Sequence, residues 1–273
     1  MNSGTIAFIG AGNMARAIIG GLIADGADPA SIHVADPNPA QRDAVACLGV
    51  TLAGDNHAAV AAADTVVLAV KPQVLKQVAS DLRDTIQDNQ PLVISVAAGI
   101  RSADLDKWLG GNVAIVRSMP NTPALVQSGA TGLYAGAHVS QSRRDRAESI
   151  LRAVGLTVWL GDEQQMDAVT ALSGSGPAYF FYIIEALEAA GQQLGLDNAT
   201  ARLLAVQTAF GAAKMMLESG EEPATLRERV TSPGGTTERA LASLRDGGLE
   251  TLFEKALTAA RDRSVELAKQ LGE

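Results

Sequence analysis

Three short segments carry residue types and spacings that can do chemistry. The first is Gly10–Ala11–Gly12–Asn13–Met14–Ala15, between an apolar run ending at Ile9 and an amphipathic stretch through Ile18, Ile19 and Leu22. Small residues at its first, third and sixth positions permit a tight turn, close approach of a pyrophosphate and close strand–helix packing. The helix start then offers free N–H groups to phosphate oxygens. Without a ligand, the same six residues would form a plain strand-to-helix turn. The second segment is Ser173–Gly174–Ser175–Gly176–Pro177–Ala178, a loop of small residues inside a helical stretch, with Pro177 suited to the first turn of a restarted helix. The third is Ser232–Pro233–Gly234–Gly235–Thr236–Thr237–Glu238, a hydroxyl-rich glycine turn that opens a helix. Backbone N–H groups and hydroxyls at a helix start make a cradle for a carboxylate. The bland alternative leaves Thr237 an ordinary first-turn helix residue. No histidine, cysteine or metal cluster accompanies the cradle, so the chemistry suits hydride transfer to an already electrophilic carbon.

Further candidates lie where apolar runs end. Ser31–Asp36 closes on a carboxylate that either bonds the ribose hydroxyls of a dinucleotide or caps the next helix, and Arg42 follows within reach of a phosphate. Thr65–Val70 exits through Ala69 and Val70 into Lys71 and Pro72, where Lys71 either faces the ligand crevice or is simply solvated. Leu92–Val96 exits into Ala97–Ala98–Gly99, leaving room for a nicotinamide ring. Val113–Ser118 exits into Met119–Pro120–Asn121–Thr122–Pro123, a proline-stiffened loop whose Asn121 and Thr122 bring hydrogen-bonding groups beside the crevice.

The elements that must position these groups fall into two halves. Up to about residue 160, short apolar β-branched runs, Leu156–Leu160 the last, alternate with helical stretches. This is the signature of a doubly wound parallel sheet covered on both faces. No strand run follows Gly161–Asp162. The expected class is α/β: a Rossmann-like domain over residues 1–161, then an all-helical domain over 162–273. In the last stretch Phe253, Ala256, Leu257, Ala260, Ser264, Leu267, Ala268 and Leu271 share one stripe. Ala199–Leu217 is apolar nearly all round and must be covered on every side, either by a second subunit or as the central helix of a monomeric bundle.

Composition narrows the function classes. The 273 residues are 47% hydrophobic and carry a net charge of −8, from 22 Lys+Arg against 30 Asp+Glu, with no basic run. That argues against nucleic acid or an anionic membrane as partner. Cys47 is the single cysteine, which permits no internal disulfide and suits a reducing cytosol. The three histidines are scattered, so no metal site is expected.

Taken in order, GAGNM, AVKP, SVAAG, RSMPNTPA, DAVTALSGSGPAYFF, FGAAKMMLESGEEP and VTSPGGTTERAL span the whole chain, which resembles the Δ1-pyrroline-5-carboxylate reductases. The resemblance implies a Rossmann domain, a helical dimerisation domain, NADPH or NADH as reductant, and reduction of 1-pyrroline-5-carboxylate to L-proline. It implies a homodimer, assembling further into a decamer, and a cytoplasmic enzyme whose partner is a small molecule. Carried over residue by residue, Ser232, Gly235, Thr236, Thr237 and Ser173 hold the substrate, with Thr237 and Ser232 at the reacting atoms. Ile9, Gly10, Ala11, Gly12, Asn13, Met14, Asp36, Asn56, Ala69, Val70, Lys71, Pro72, Ala97 and Ala98 touch the cofactor. Position 36 departs from the habit of many relatives, a Ser, a Thr or an Asn/Arg pair, which tolerates the 2′-phosphate of NADPH. Two other readings stand beside this one: a hydroxyacid dehydrogenase or other imine reductase on the same plan, and a silent dinucleotide sensor. Against the hydroxyacid enzymes, the residue four places after Lys214 is Glu218 rather than asparagine.

Overall fold

The computed structural model describes residues 4–272. Eight strands form one sheet: β1 (Ile6–Ile9), β2 (Ile32–Ala35), β3 (Thr51–Leu52), β4 (Thr65–Leu68), β5 (Leu92–Ser95), β6 (Ala114–Met119), β7 (Gly129–Ala135) and β8 (Gly155–Trp159). Their order across the sheet is β3-β2-β1-β4-β5-β6-β7-β8. The order reverses beside β1, so the carboxyl ends of β1 and β4 open onto a switch-point crevice. The strands β1, β2, β4 and β5 are continuous apolar runs, and nearly every residue in them is buried. Helices cover both faces: α1 (Asn13–Ala24), α2 (Pro39–Ala46), α3 (Asn56–Ala61), α4 (Pro72–Asp81), α5 (Arg83–Asn89), α6 (Ser102–Trp108) and α7 (Gln141–Arg152). Two apolar cores result, one around Phe8, Ile18, Val34 and Leu133, the other around Ile9, Leu68, Leu75 and Ile115.

Two strands escape the sequence pattern. β3 has only two residues, both exposed. β7 runs antiparallel to β6 and parallel to β8, so the sheet is mixed rather than wholly parallel. Two of its residues are glycines because bulk does not fit there. A Cβ on Gly129 would lie 2.9 Å from the Val154 carbonyl oxygen, and one on Gly132 would lie 2.8 Å from a Val169 methyl.

The strands are followed by α8 (Gln165–Val169), a π-helical turn (Thr170–Gly174), α9 (Gly176–Gln193), α10 (Asn198–Ser219), α11 (Pro223–Arg229), α12 (Thr236–Asp246) and α13 (Leu249–Gly272). The expected loop at 173–178 is thus a widened helical turn, and Pro177 stands in the first turn of α9 as anticipated. The chain divides into two compact units, residues up to 175 with those from 260 onward, and residues 176–259. This differs from a boundary at 161/162, and the reason is packing beyond the last strand. Met166 and Ala171 are buried in the first unit, and Ser264 on α13 donates to the Asp167 carboxylate at 2.7 Å. The apolar stripe of α13 accordingly splits: Ser264 and Ala268 are buried, while Phe253 is exposed. In the second unit α9 lies against α10, tied by Arg202 to Glu188 at 3.0 Å.

Candidate functional site

The glycine loop is built by the end of β1. Gly10 has φ +98°, and a Cβ there would sit 2.8 Å from the Ala69 carbonyl oxygen, so only glycine serves. Its N–H donates to the Ala35 carbonyl at 2.8 Å. Gly12 is the N-cap residue of α1, no side chain caps that helix, and its first turn holds no acidic residue. A Cβ on Gly12 would meet nothing within 4 Å. The start of α1 therefore presents free N–H groups and its positive dipole end to open space, which fits a pyrophosphate. Asn13 and Met14 form the first turn, and Arg16 donates to the Asn13 side-chain oxygen.

Asp36 follows β2, half-buried. Its Oδ2 accepts the Ala11 N–H at 2.8 Å and its Oδ1 accepts the Asn38 N–H at 2.8 Å. It is not the cap of α2: Asn38 is, accepting from Ala40 N–H at 3.0 Å. Arg42 folds back over this turn, donating from Nη1 to the carbonyls of Asp36 at 3.0 Å and Pro37 at 3.3 Å. Lys71 is exposed as the N-cap residue of α4, with Pro72 in the first turn and Ala69 and Val70 half-buried before it. Asn56 opens α3, whose N-cap is Asp55. Ala97 is buried, and its N–H donates to the Ser95 hydroxyl at 3.3 Å. Gly10 and Gly12, Asp36, Lys71 and Ala97–Ala98 thus follow the carboxyl ends of β1, β2, β4 and β5 in one unit. The chemistry of this set fits a dinucleotide: free N–H groups at the start of α1 suit phosphates, the Asp36 carboxylate suits ribose hydroxyls, and Ala97–Ala98 leave room for a ring.

Asn121 behaves differently from expectation. It is buried, and its amide turns inward, donating from Nδ2 to the Ser173 carbonyl at 3.0 Å and accepting the Ala130 N–H at 2.9 Å. The Ser173 hydroxyl is also engaged, donating to the Val169 carbonyl at 3.2 Å.

The second unit holds the other predicted segment. Gly234 has φ +70°, which turns the chain into α12, and Gly235 is the N-cap residue with no side-chain cap. Glu238 folds back so that its Oε2 accepts the Gly234 N–H at 2.7 Å, and Gly235 N–H donates to the Ser232 carbonyl at 2.9 Å. Among the described residues, the hydroxyls of Ser232, Thr236 and Thr237 meet no hydrogen-bond partner. The turn is held by backbone and Glu238, leaving three hydroxyls and the α12 N–H groups free for an anion. Lys214 forms an exposed ion pair with Glu218, one helical turn away, which does not suit a general acid.

Three groups of the first unit, Arg117, Glu163 and Ser102, were not anticipated from sequence. Arg117 on β6 is buried and pairs with Glu163 at 3.1 Å, and Glu163 also accepts the Ser102 N–H at 2.6 Å and hydroxyl at 2.7 Å. Spacing alone cannot reveal this set, because its members lie on separate elements. No group of three or more potential metal ligands occurs among the described residues, and no helix among them is long and apolar enough to cross a membrane.

A glycine loop at the switch point of a doubly wound sheet, followed by a helical region, defines a nicotinamide-dinucleotide oxidoreductase. Residues 5–99 match the family described as NADP oxidoreductase coenzyme F420-dependent, and residues 163–267 match pyrroline-5-carboxylate reductase dimerisation. The chain is 53% identical to the pyrroline-5-carboxylate reductase of Pseudomonas aeruginosa, with both chains fully covered. A solved pyrroline-5-carboxylate reductase from Coxiella burnetii superposes with TM-score 0.94 at 50% identity, covering 98% of this chain and 99% of that one. The Plasmodium falciparum pyrroline carboxylate reductase, solved with NADP bound, superposes with TM-score 0.86 at 26% identity over 98% of this chain and 99% of that one. The chain belongs to the pyrroline-5-carboxylate reductase family.

Proposed function

We propose that the chain reduces 1-pyrroline-5-carboxylate to L-proline with NADPH or NADH. The observation that carries the substrate assignment is the uncapped start of α12, where the hydroxyls of Ser232, Thr236 and Thr237 stand free. When bound, the reduced nicotinamide supplies a hydride to C5 of the cyclic imine, whose nitrogen takes a proton from water. Ser232, Gly235 and Thr236 hold the carboxylate through hydroxyl and backbone N–H groups. Thr237 orients the ring nitrogen, and Ser232 lies beside the reacting atoms. Ser173 contributes to the substrate site through its turn. Ile9 to Met14 receive the pyrophosphate; Asp36 faces the ribose; Asn56, Ala69, Val70, Lys71 and Pro72 line the cofactor's path, and Ala97–Ala98 leave space for its ring. The rate derives mostly from positioning and electrostatics.

The cofactor role belongs to residues 1–161 and the substrate and dimerisation roles to 162–273. The functional form is a homodimer, assembling further to a decamer, and works in the cytoplasm. The exposed apolar helices of the second unit support the first of these, and the acidic charge with a single cysteine supports the last. Loss of reduced-nicotinamide absorbance with pyrroline-5-carboxylate, set against gain of that absorbance when hydroxyacids are offered with the oxidised cofactor, tests the reading. Reduction of the oxidised nicotinamide by hydroxyacids, with no turnover of pyrroline-5-carboxylate, would refute it.

A further inference from the structure

The buried amide of Asn121 does two things at once. Its oxygen takes the Ala130 N–H at the start of β7, and its nitrogen donates to the Ser173 carbonyl in the π-helical turn. Such turns recur at functional sites because they displace side chains from the regular helical path. In a regular α-helix the Ser173 carbonyl would accept the N–H four residues on, but that residue is Pro177, which has none. A side-chain donor is needed, and Asn121 supplies it. The turn closes through Ser175 N–H to the Thr170 carbonyl at 2.8 Å. It is pinned further because Gly174 presents no Cβ to Met119; one there would lie 2.5 Å from the Met119 methyl. Met119 and Asn121 belong to the segment leaving β6, adjacent in the sheet to β5, which leads into Ala97–Ala98. Ser118 continues the linkage, its hydroxyl donating to the Ser95 carbonyl at 2.9 Å.

We infer that Asn121 is a positioning residue for the reduction, fixing the Ser173–Ser175 turn against the end of β6 by replacing the N–H that Pro177 lacks. The inference rests on the reading of the reaction given above. Both ends of the Asn121 amide are engaged with backbone groups, the Ser173 carbonyl and the Ala130 N–H. Its effect is transmitted through the Ser173 carbonyl, so it belongs in kcat rather than in cofactor affinity.

The test uses purified full-length protein, pyrroline-5-carboxylate as substrate, and NADPH binding followed by nicotinamide fluorescence. Asn121→Ala removes both bonds. Asn121→Asp keeps an acceptor for Ala130 N–H but sets an oxygen against the Ser173 carbonyl. Both variants are expected to lose kcat on the order of 10- to 100-fold, the scale of a displaced reacting group, with NADPH affinity unchanged. Adding Pro177→Ala to Asn121→Asp returns a backbone N–H and is expected to recover part of kcat. A kcat retained in Asn121→Asp overturns the inference, as does a double variant no faster than the single one. Loss of the folded state in both single variants also overturns it, because the amide then serves the fold rather than the site. Absence of turnover in the wild-type protein would instead refute the proposed reaction.

Discussion

The carboxylate of Asp36 accepts the backbone N–H of Ala11 at 2.8 Å, tying the end of β2 to the glycine loop after β1. The residue proposed to face the cofactor's ribose therefore also shapes the loop proposed to take its phosphates. With Asn38 N–H on the other oxygen and Arg42 folded over the turn, the carboxylate is held in one orientation. In the proposed cofactor site the two charges oppose one another: Asp36 would repel a 2′-phosphate, and Arg42 would attract it.

Asp36→Ser removes the repulsion and loosens the loop together. Like charges a few ångströms apart at a partly solvated site cost about 1–4 kcal/mol. The kcat/KM ratio of NADPH over NADH should rise by roughly fivefold or more, a change of about 1 kcal/mol, and the rise should shrink at high salt. Both KM values should increase as Ala11 N–H loses its acceptor. Steady-state kinetics with both cofactors decides it, and an unchanged ratio would mean that Asp36 acts on the loop alone.

Thr237→Ala removes a hydroxyl that stands free at the start of α12. The expected loss in kcat/KM is about 1–3 kcal/mol, the range for a polar partner left unpaired. Cofactor affinity should stay constant. Wild-type kcat/KM in the variant would return Thr237 to an ordinary helix residue.

Glu163 is the partner of buried Arg117 and the acceptor for the first N–H of α6. Removing one member of a buried ion pair costs about 3–5 kcal/mol because the other charge remains desolvated. Glu163 keeps some exposure, so Glu163→Ala should lie near the lower end, about 3 kcal/mol. Chemical denaturation measures it, and a loss under 1 kcal/mol would show that water reaches Arg117.

What the sequence made legible were the features with local signatures. The glycine loop, the apolar strands β1, β2, β4 and β5, the Pro177 helix start and the SPGGTT turn each follow from neighbouring residues. β7 was not legible because its rule is steric: Gly129 and Gly132 are small for the sake of Val154 and Val169, far along the chain. The inward turn of Asn121 and the Arg117–Glu163 pair were missed for the same reason, since each joins elements distant in sequence. Residue type alone leaves Asp36 open between a ribose partner and the cap of the next helix; the fold gives the cap to Asn38, and Asp36 bonds Ala11.

Acid should weaken the start of α10. Asp197 is its N-cap, and bonds from the Thr200 hydroxyl and N–H hold the Asp197 carboxyl below its ordinary value. A carboxyl depressed in the folded state stabilises fully above its unfolded pKa, and that contribution is lost as pH falls through the lower folded value. Thermal unfolding of wild type and Asp197→Asn should therefore differ at neutral pH and converge in strong acid. A difference that stays constant with pH would assign the effect to shape rather than charge.

The last prediction concerns α10 itself. Leu203 is 68% exposed, Phe210 59%, Met215 57% and Leu217 82%, on a helix with apolar residues all round. α9 adds Phe180 and Phe181 at 64% and 66%. One chain leaves this surface in water, and each such side chain contributes about 1.5–3 kcal/mol when fully buried. A contiguous apolar surface of this kind marks an interface rather than a solvated face, and the dimerisation match covers all of α10. The protein should therefore sediment as a dimer or larger at micromolar concentration. Replacing Met215 and Met216 together with lysine would place two charges against apolar surface, which an interface cannot accommodate without neutralising or solvating them. The result should be aggregated or unfolded chain, because a separated subunit would expose the remaining leucines and phenylalanines. A wild-type chain that sediments as a well-folded monomer, or a double-lysine variant that does so with an unchanged melting temperature, would overturn the reading of this surface as an interface.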